Sequence, residues 1–449
     1  MNMLPRLKPH CFYDLVVQIA IVRPGPIQGD MVHPYLRRRA GQEAVTYPSA
    51  AVKQVLARTL GVPIFQEQVI KLAMVAAGFS GGEADQLRRA MANWKSNGEL
   101  QQFEHKLIRG MLARGYSEEF AQRIFAQICG FGEYGFPESH SASFANLAYA
   151  SAWLKYHYPL AFYCALLNSL PMGFYSADQL IQDARRHQLV VLPANIQQSY
   201  WHHQLVPLQQ GYGLQLGLRL VKGLAADEIK QLIEQRPRSG FRNLQQLRDL
   251  GLSATTLQRL AAADVLGSLA GNRYQSQWQS LAHQAEQLPL FAHQQTAEAT
   301  PDYLPKPSEF ADIAGDYQTT GVSLRRHPLA LLREQGWLRH SKSAQSLQLC
   351  RHKQLVTVTG LVTCRQRPGS AGGVTFITLE DETGMANVVI WARVAKAYRK
   401  AFLTSQLLTV KGILEREGEV IHIIAGELID SSEQLARLGM QANRSRDFH

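Results

Sequence analysis

The sequence predicts a multidomain chain, mainly α-helical with a tandem helix-hairpin-helix region, followed by a C-terminal β-barrel with the OB-fold order. Three observations carry this. Up to His187, apolar residues recur at helical spacing behind cap signals such as Ser80 with Glu83 and Ser176 with Gln179. Two apolar-rich glycine turns, Val221-Lys222-Gly223-Leu224 and Leu250-Gly251-Leu252-Ser253, each lead into a helical stretch. From residue 354 the pattern changes to five β-rich runs with a helical run between the third and fourth.

A chain of 449 residues with 46% hydrophobic content holds two to four cored domains. No apolar run reaches membrane-span length, and Met1 to His10 lacks a signal-peptide layout, so no membrane partner and a cytoplasmic location are expected. Cys11, Cys129, Cys164, Cys350 and Cys364 are scattered without a Cys-x-x-Cys pair. They read as reduced thiols, with neither a disulfide framework nor a zinc site. The net charge of +11 is uneven: +5 in residues 1–160, +4 in 211–273 and zero in 354–430. A basic excess points to a polyanion, most often nucleic acid, although a merely soluble basic protein has the same total.

In order, residues 11–22 are apolar enough for a buried helix or strand. Arg23 follows on a rigid Pro24-Gly25-Pro26 turn, where its fork suits a phosphate. Gln66 and Gln68 sit on a helix starting near Ile64 and are ordinary polar helix positions on sequence physics alone. The box of Ser80 and Glu83 opens a helix whose Ala84, Leu87, Met91 and Trp94 share a face, with Arg88 and Arg89 beside it. Two amphipathic helices fill 99–130, and Ser117 caps the second. A loop bearing Glu133, Tyr134, Glu138, Ser139 and His140 then precedes a helix to Tyr158. That helix is apolar on nearly every face, which predicts burial; a polar, aromatic loop beside a buried helix is a candidate ligand contact.

Short strands are expected near 189–192, 204–206 and 211–220. The glycine turns at Gly223 and Gly251, with Lys222 and Ser253, have the form that aims backbone amides at a DNA phosphate without reading bases. The plainer alternative is a helical bundle whose glycines serve only as C-caps. Residues 285–350 lose periodicity and read as a linker, ordered again around Asp316 to Pro328, a segment with no independent role. In the barrel, Phe376 and Trp391 are candidates for stacking on a single strand, while the zero local charge argues for weak binding or a protein contact.

The motifs Arg23-Pro24-Gly25-Pro26, Phe65-Gln66-Glu67-Gln68-Val69, Ala84-Asp85-Gln86-Leu87-Arg88-Arg89-Ala90-Met91 and Tyr134 to Ala145 together resemble the fingers region of the bacterial C-family DNA polymerases. Pro137-Glu138 and the ending Ser445 to His449 resemble the error-prone, ImuC-type branch. Asn93-Trp94-Lys95 departs from the lysine pair of the replicative branch, which leaves any lysine role there open. The resemblance implies that Arg23, Arg88 and Arg89 face the triphosphate of a deoxynucleoside triphosphate. It also implies that Gln66, Gln68, Tyr134, Ser139 and His140 face nucleotide or template. By the same resemblance the whole enzyme copies damaged template with Mg2+ in repair, translesion synthesis and damage-induced mutagenesis, and its partners are DNA, mutasome proteins and, indirectly, the sliding clamp.

Two-metal nucleotide transfer needs clustered carboxylates, and the sequence has no Asp-x-Asp. The dense acidic group Glu380-Asp381-Glu382 lies in a barrel turn. No catalytic residue and no metal ligand is therefore assigned in this chain. The expectation is the C-terminal portion of such a polymerase: fingers in 1–170, a connecting segment in 171–210, tandem hairpins in 211–285, a linker in 286–353, the OB-fold in 354–432 and a tail in 433–449. The competing readings are a non-catalytic DNA-binding adaptor of the same modules and a protein-interaction scaffold.

Overall fold

Cap residues and turn glycines punctuate the helices of the N-terminal half much as local rules require. The computed structural model describes residues 4–21, 32–92, 99–131, 137–173, 175–281, 304–367, 373–417, 420–437 and 446–448. These divide into a first unit, residues 1–151 with 368–373, and a second, residues 152–367 with 374–449.

In the first unit the run left open between helix and strand is the helix Phe12–Ile21. Helices Gln66–Ala77, Gly81–Ala92, Glu99–Leu112 and Glu118–Phe131 follow. The capping box forms: Ser80 N–H donates to Glu83 at 2.9 Å and Glu83 N–H to Ser80 Oγ at 3.4 Å. Ser117 Oγ accepts from Phe120 N–H at 3.2 Å. Val69, Leu72, Leu87, Leu107, Met111 and Ile124 bury their side chains together, and a second cluster joins Val16, Val17, Tyr35, Phe65 and Ala145.

The second unit contains helix Pro159–Asn168 and the capped helix Ala177–Arg186. The three expected short strands, β1 (Val191–Leu192), β2 (Gln204–Pro207) and β3 (Tyr212–Gln215), form one sheet in the order β1-β3-β2. The hairpin helices Ala226–Glu234, Leu244–Asp249, Ala254–Ala262 and Arg273–Leu281 follow. Ile229, Leu232, Leu247, Leu257 and Leu260 form their core.

The barrel strands are β4 (Leu355–Gln366), β5 (Thr375–Asp381), β6 (Gly384–Ile390), β7 (Leu407–Glu417) and β8 (Val420–Asp430). They run β5-β6-β8-β7-β4, and a β4–β5 pairing closes the barrel. β4 manages this by pairing β7 with its first half and β5 with its second, across a register shift between Val362 and Cys364. Residues expected as one helix between β6 and β7 form two short ones, Ala392–Ala397 and Arg399–Thr404.

Two expectations change. Residues 304–349 are built, with helices Glu309–Thr319 and Pro328–Glu334. The tail is partly structured: helix Ser432–Arg437 buries Leu435 with Leu329, Leu332 and Leu407, and β9 (Arg446–Phe448) pairs in parallel with β4.

Candidate nucleic-acid interface

In the first unit, Arg23 and Tyr134 lie outside the described residues. Arg88 belongs to helix Gly81–Ala92, but its side chain is likewise outside them. Arg89 is exposed and pairs with Asp85 one turn back at 2.9 Å, the arrangement of a surface i,i+4 pair. Gln66 is half-buried. Gln68 corrects the sequence reading. It is buried, its Oε1 accepts from the backbone N–H of Ile64 (2.8 Å) and Phe65 (3.1 Å), and its Nε2 donates to Val55 O (3.3 Å) and Thr59 Oγ1 (2.8 Å). An amide with two donors and two acceptor sites filled in this way has nothing left for a nucleotide. Gln68 does the work of a missing cap, because Phe65 at the N-cap has no acceptor.

Ser139 and His140 are exposed on the first turn of helix Glu138–His157, and the His140 ring lies 4.6 Å from that of Phe144. Glu138 anchors this turn. Its carboxylate accepts from Tyr13 Oη–H at 2.8 Å and from Arg58 at 3.3 Å, while its N–H donates to Glu67 at 3.0 Å. Burial, then the Glu138 carboxylate, push the Tyr13 hydroxyl well above its ordinary range. The sequence gives no local signal for this cluster, since Tyr13 and Glu138 are 125 positions apart. The helix itself departs from expectation: only Ser141 and Ala145 are buried, while Phe144, Leu147, Tyr149, Trp153 and Tyr156 are exposed. An apolar helix is buried only where a partner surface exists, and the described residues present none over most of it.

The two hairpin turns differ. Gly223 is at φ +81°, a conformation L side chains rarely adopt. It introduces helix Ala226–Glu234, whose N-cap, Ala225, offers no side-chain acceptor. Arg259, which sequence reading passed over, reaches this turn from helix Ala254–Ala262 and donates to Gly223 O. Free amides beside a guanidinium are a competent phosphate cradle. Lys222 points elsewhere: its Nζ donates to Tyr317 O at 2.9 Å and Gln318 O at 2.8 Å, closing the carbonyl end of helix Glu309–Thr319. It acts as a helix cap, which corrects its assignment as a phosphate ligand.

The second turn is also corrected. Gly251 N–H donates to Arg248 O at 2.8 Å and Leu252 N–H to Leu247 O at 3.2 Å, so Gly251 is a C-cap. Ser253 N–H donates to Glu228 at 2.8 Å, and Thr256 Oγ1–H donates to the same carboxylate at 2.6 Å. Burial opposes ionisation of Glu228, but the bonds from Thr256 and Ser253 outweigh it and hold the group below the usual range. A carboxylate from the first hairpin thus takes up the Ser253 amide at the second turn.

On the barrel, Phe376 pairs in register with Val389, and Trp391 lies two residues beyond on the same face. Both rings are exposed, as is Met385 on the same side of β6. Glu380 lies at the far end of β5 and is buried. Burial, then the nearby Asp178 carboxylate, raise it to about 7. Burial raises Asp178 to about 6. Among the described residues no three His, Cys, Asp or Glu side chains gather as metal ligands, so those residues do not fit a pair of catalytic cations. No helix among the described residues is long and apolar enough to cross a membrane.

Comparison with known proteins follows the same segmentation. Residues 1–115 match the family model for the bacterial DNA polymerase III alpha subunit finger domain, 188–276 that for a helix-hairpin-helix motif, and 356–430 that for an OB-fold nucleic acid binding domain. Proteins named error-prone DNA polymerase from Vibrio parahaemolyticus and Idiomarina loihiensis are each 59% identical over the whole chain, and one from Methylococcus capsulatus is 53% identical. The chain spans only 43–44% of the length of these relatives.

Proposed function

We propose that the chain belongs to the error-prone branch of the bacterial C-family DNA polymerases and is the C-terminal part of such an enzyme, acting in DNA repair and translesion synthesis. The observation that carries this reading is 59% identity along the entire chain to less than half of a polymerase. In this reading residues 1–170 are fingers, 211–285 bind duplex phosphates and 354–432 form the OB-fold. The palm carboxylates and the Mg2+ they hold lie in a portion outside this sequence. Mutasome proteins, and through them the sliding clamp, are the proposed protein partners in the cytoplasm. The exposed apolar helix Glu138–His157 supports the reading, because a further portion of polypeptide would cover it.

Arg23, Arg88 and Arg89 are proposed to face the triphosphate, where preorganised cations stabilise charge developing on the leaving pyrophosphate. Gln66, Tyr134, Ser139 and His140 are proposed to face nucleotide or template. The purified chain, given primed template, deoxynucleotides and magnesium, is expected to extend nothing. A hybrid that adds the rest of the Vibrio parahaemolyticus relative is expected to extend, and alanine at any of the three arginines should lower incorporation far more than template binding. Extension by the contaminant-free chain alone, or none by the folded hybrid, overturns the reading.

The first hairpin, not the second, is proposed to hold duplex DNA. Affinity should fall with log salt by about 0.9 per phosphate contact, equally on unrelated sequences. Gly223→Val strains the left-handed turn and displaces Arg259, so it should weaken binding about tenfold, one lost phosphate cradle being worth on the order of 1–2 kcal/mol. Gly251→Asn tolerates the left-handed cap and should leave affinity unchanged. Equal loss in both variants, at unchanged circular dichroism, contradicts the distinction.

A further inference from the structure

Residues 304–349, to which the sequence assigns no role, carry an ionic anchor at each end, buried at Arg273 and half-buried at Arg333. At the hairpin end, Asp312 and Asp316 of helix Glu309–Thr319 meet Arg273, which is only 3% exposed. Gly315 lies between them, and a Cβ there would overlap the Arg273 guanidinium, so this close approach requires glycine. Arg325 closes the cluster, reaching Asp264 at 2.8 Å, Asp312 at 3.3 Å and Asp316 at 3.4 Å. Lys222 caps the same helix. At the barrel end, Arg333 of helix Pro328–Glu334 pairs with Glu382 at 2.5 Å, and Asp381 accepts from Ala344 N–H at 2.6 Å. Leu329 and Leu332 pack there against Leu407 of β7.

Buried ion pairs contribute little net stability, but breaking one leaves an uncompensated charge, so they specify one geometry strongly. A segment pinned this way at both ends is a strap. We infer that the strap is a positioning element: it holds the hairpin helices and the Phe376–Trp391 face in fixed relation, so that one DNA with a duplex–single-strand junction engages both at once. The inference rests on the proposed DNA binding by these two modules. Their charges are complementary in role. The hairpin region, net +4, supplies phosphate affinity, while the barrel, net zero, offers stacking too weak to act alone. Fixing the second site relative to the first makes its binding intramolecular, a gain of about 10²–10⁴ for the DNA that matches the geometry.

The test measures affinity of the intact chain by fluorescence anisotropy for a blunt duplex, a single strand, and a duplex with a single-stranded extension. The junction should bind at least tenfold tighter than the duplex. Arg333→Gln removes the ion pair at the barrel end without touching the hairpin core. It should bring junction affinity down to the duplex level and leave duplex affinity within twofold. Arg273→Leu cuts the buried end, and is read only if its thermal unfolding matches the parent. A merely structural segment would shift all three affinities together. A junction bound no tighter than duplex, or a junction preference that survives Arg333→Gln, overturns the strap while leaving DNA binding by the hairpin intact. No binding to any of the three DNAs overturns the DNA-binding reading and the strap with it.

Discussion

Gln68→Met is expected to destabilise the first unit by about 3 kcal/mol, because two buried backbone N–H groups lose their acceptor at a cost of roughly 1–3 kcal/mol each. The amide oxygen of Gln68 serves both Ile64 and Phe65, and no side chain at the N-cap replaces it. Methionine conserves volume, so the loss reports the hydrogen bonds and not a cavity. Gln66→Met, at the half-buried position two residues earlier, should cost less stability than Gln68→Met. Urea unfolding, followed by hydrogen exchange of helix Gln66–Ala77, separates the two. An unchanged midpoint for Gln68→Met would return this residue to the nucleotide-facing set.

Glu380→Gln is expected to stabilise the second unit by on the order of 2 kcal/mol at pH 8 and by nothing near pH 4. The Glu380 carboxyl is raised from 4.5 to about 7 in the fold, first by burial and then by Asp178. Between those values the native state keeps a proton that the unfolded chain has released. Stability from this group is therefore fully present below about 4.5, falls as pH rises and is lost above about 7. A displacement of that size corresponds to about 3 kcal/mol at most, and sharing between two coupled carboxyls reduces it. Arg186, at 3.9 Å and partly exposed, offsets only part of the cost. Glutamine has no charge to desolvate and removes the slope. The check is the difference in urea midpoint between variant and parent from pH 4 to pH 8. A difference that does not change with pH removes the buried carboxyl from the account.

The exposed helix Glu138–His157 marks where pattern reading fails for a physical reason. Apolar residues on every face do require cover, but the cover need not come from the same polypeptide segment. The sequence placed Glu138, Ser139 and His140 in a loop before a helix ending at Tyr158; the structure starts the helix earlier, at Glu138, and ends it at His157, before Pro159. Whether that helix is buried depends on surfaces that no local window contains.

The sequence by itself determined what is local. Helix starts at Ser80 and Ser176, the helix end before Pro159, the small strands and the five-strand barrel order all follow from caps, breakers and alternation within a few residues. Only the tertiary structure decided what each polar group touches. Gln68 turns inward because Thr59 and the Val55 carbonyl stand beside it. Lys222 caps a helix 95 residues on, and Glu228 takes up the Ser253 amide at the second turn. A buried donor or acceptor must be satisfied, and the fold offers whichever partner it brings within about 3 Å. That choice has no period and no motif, so it was decided only when distant segments packed.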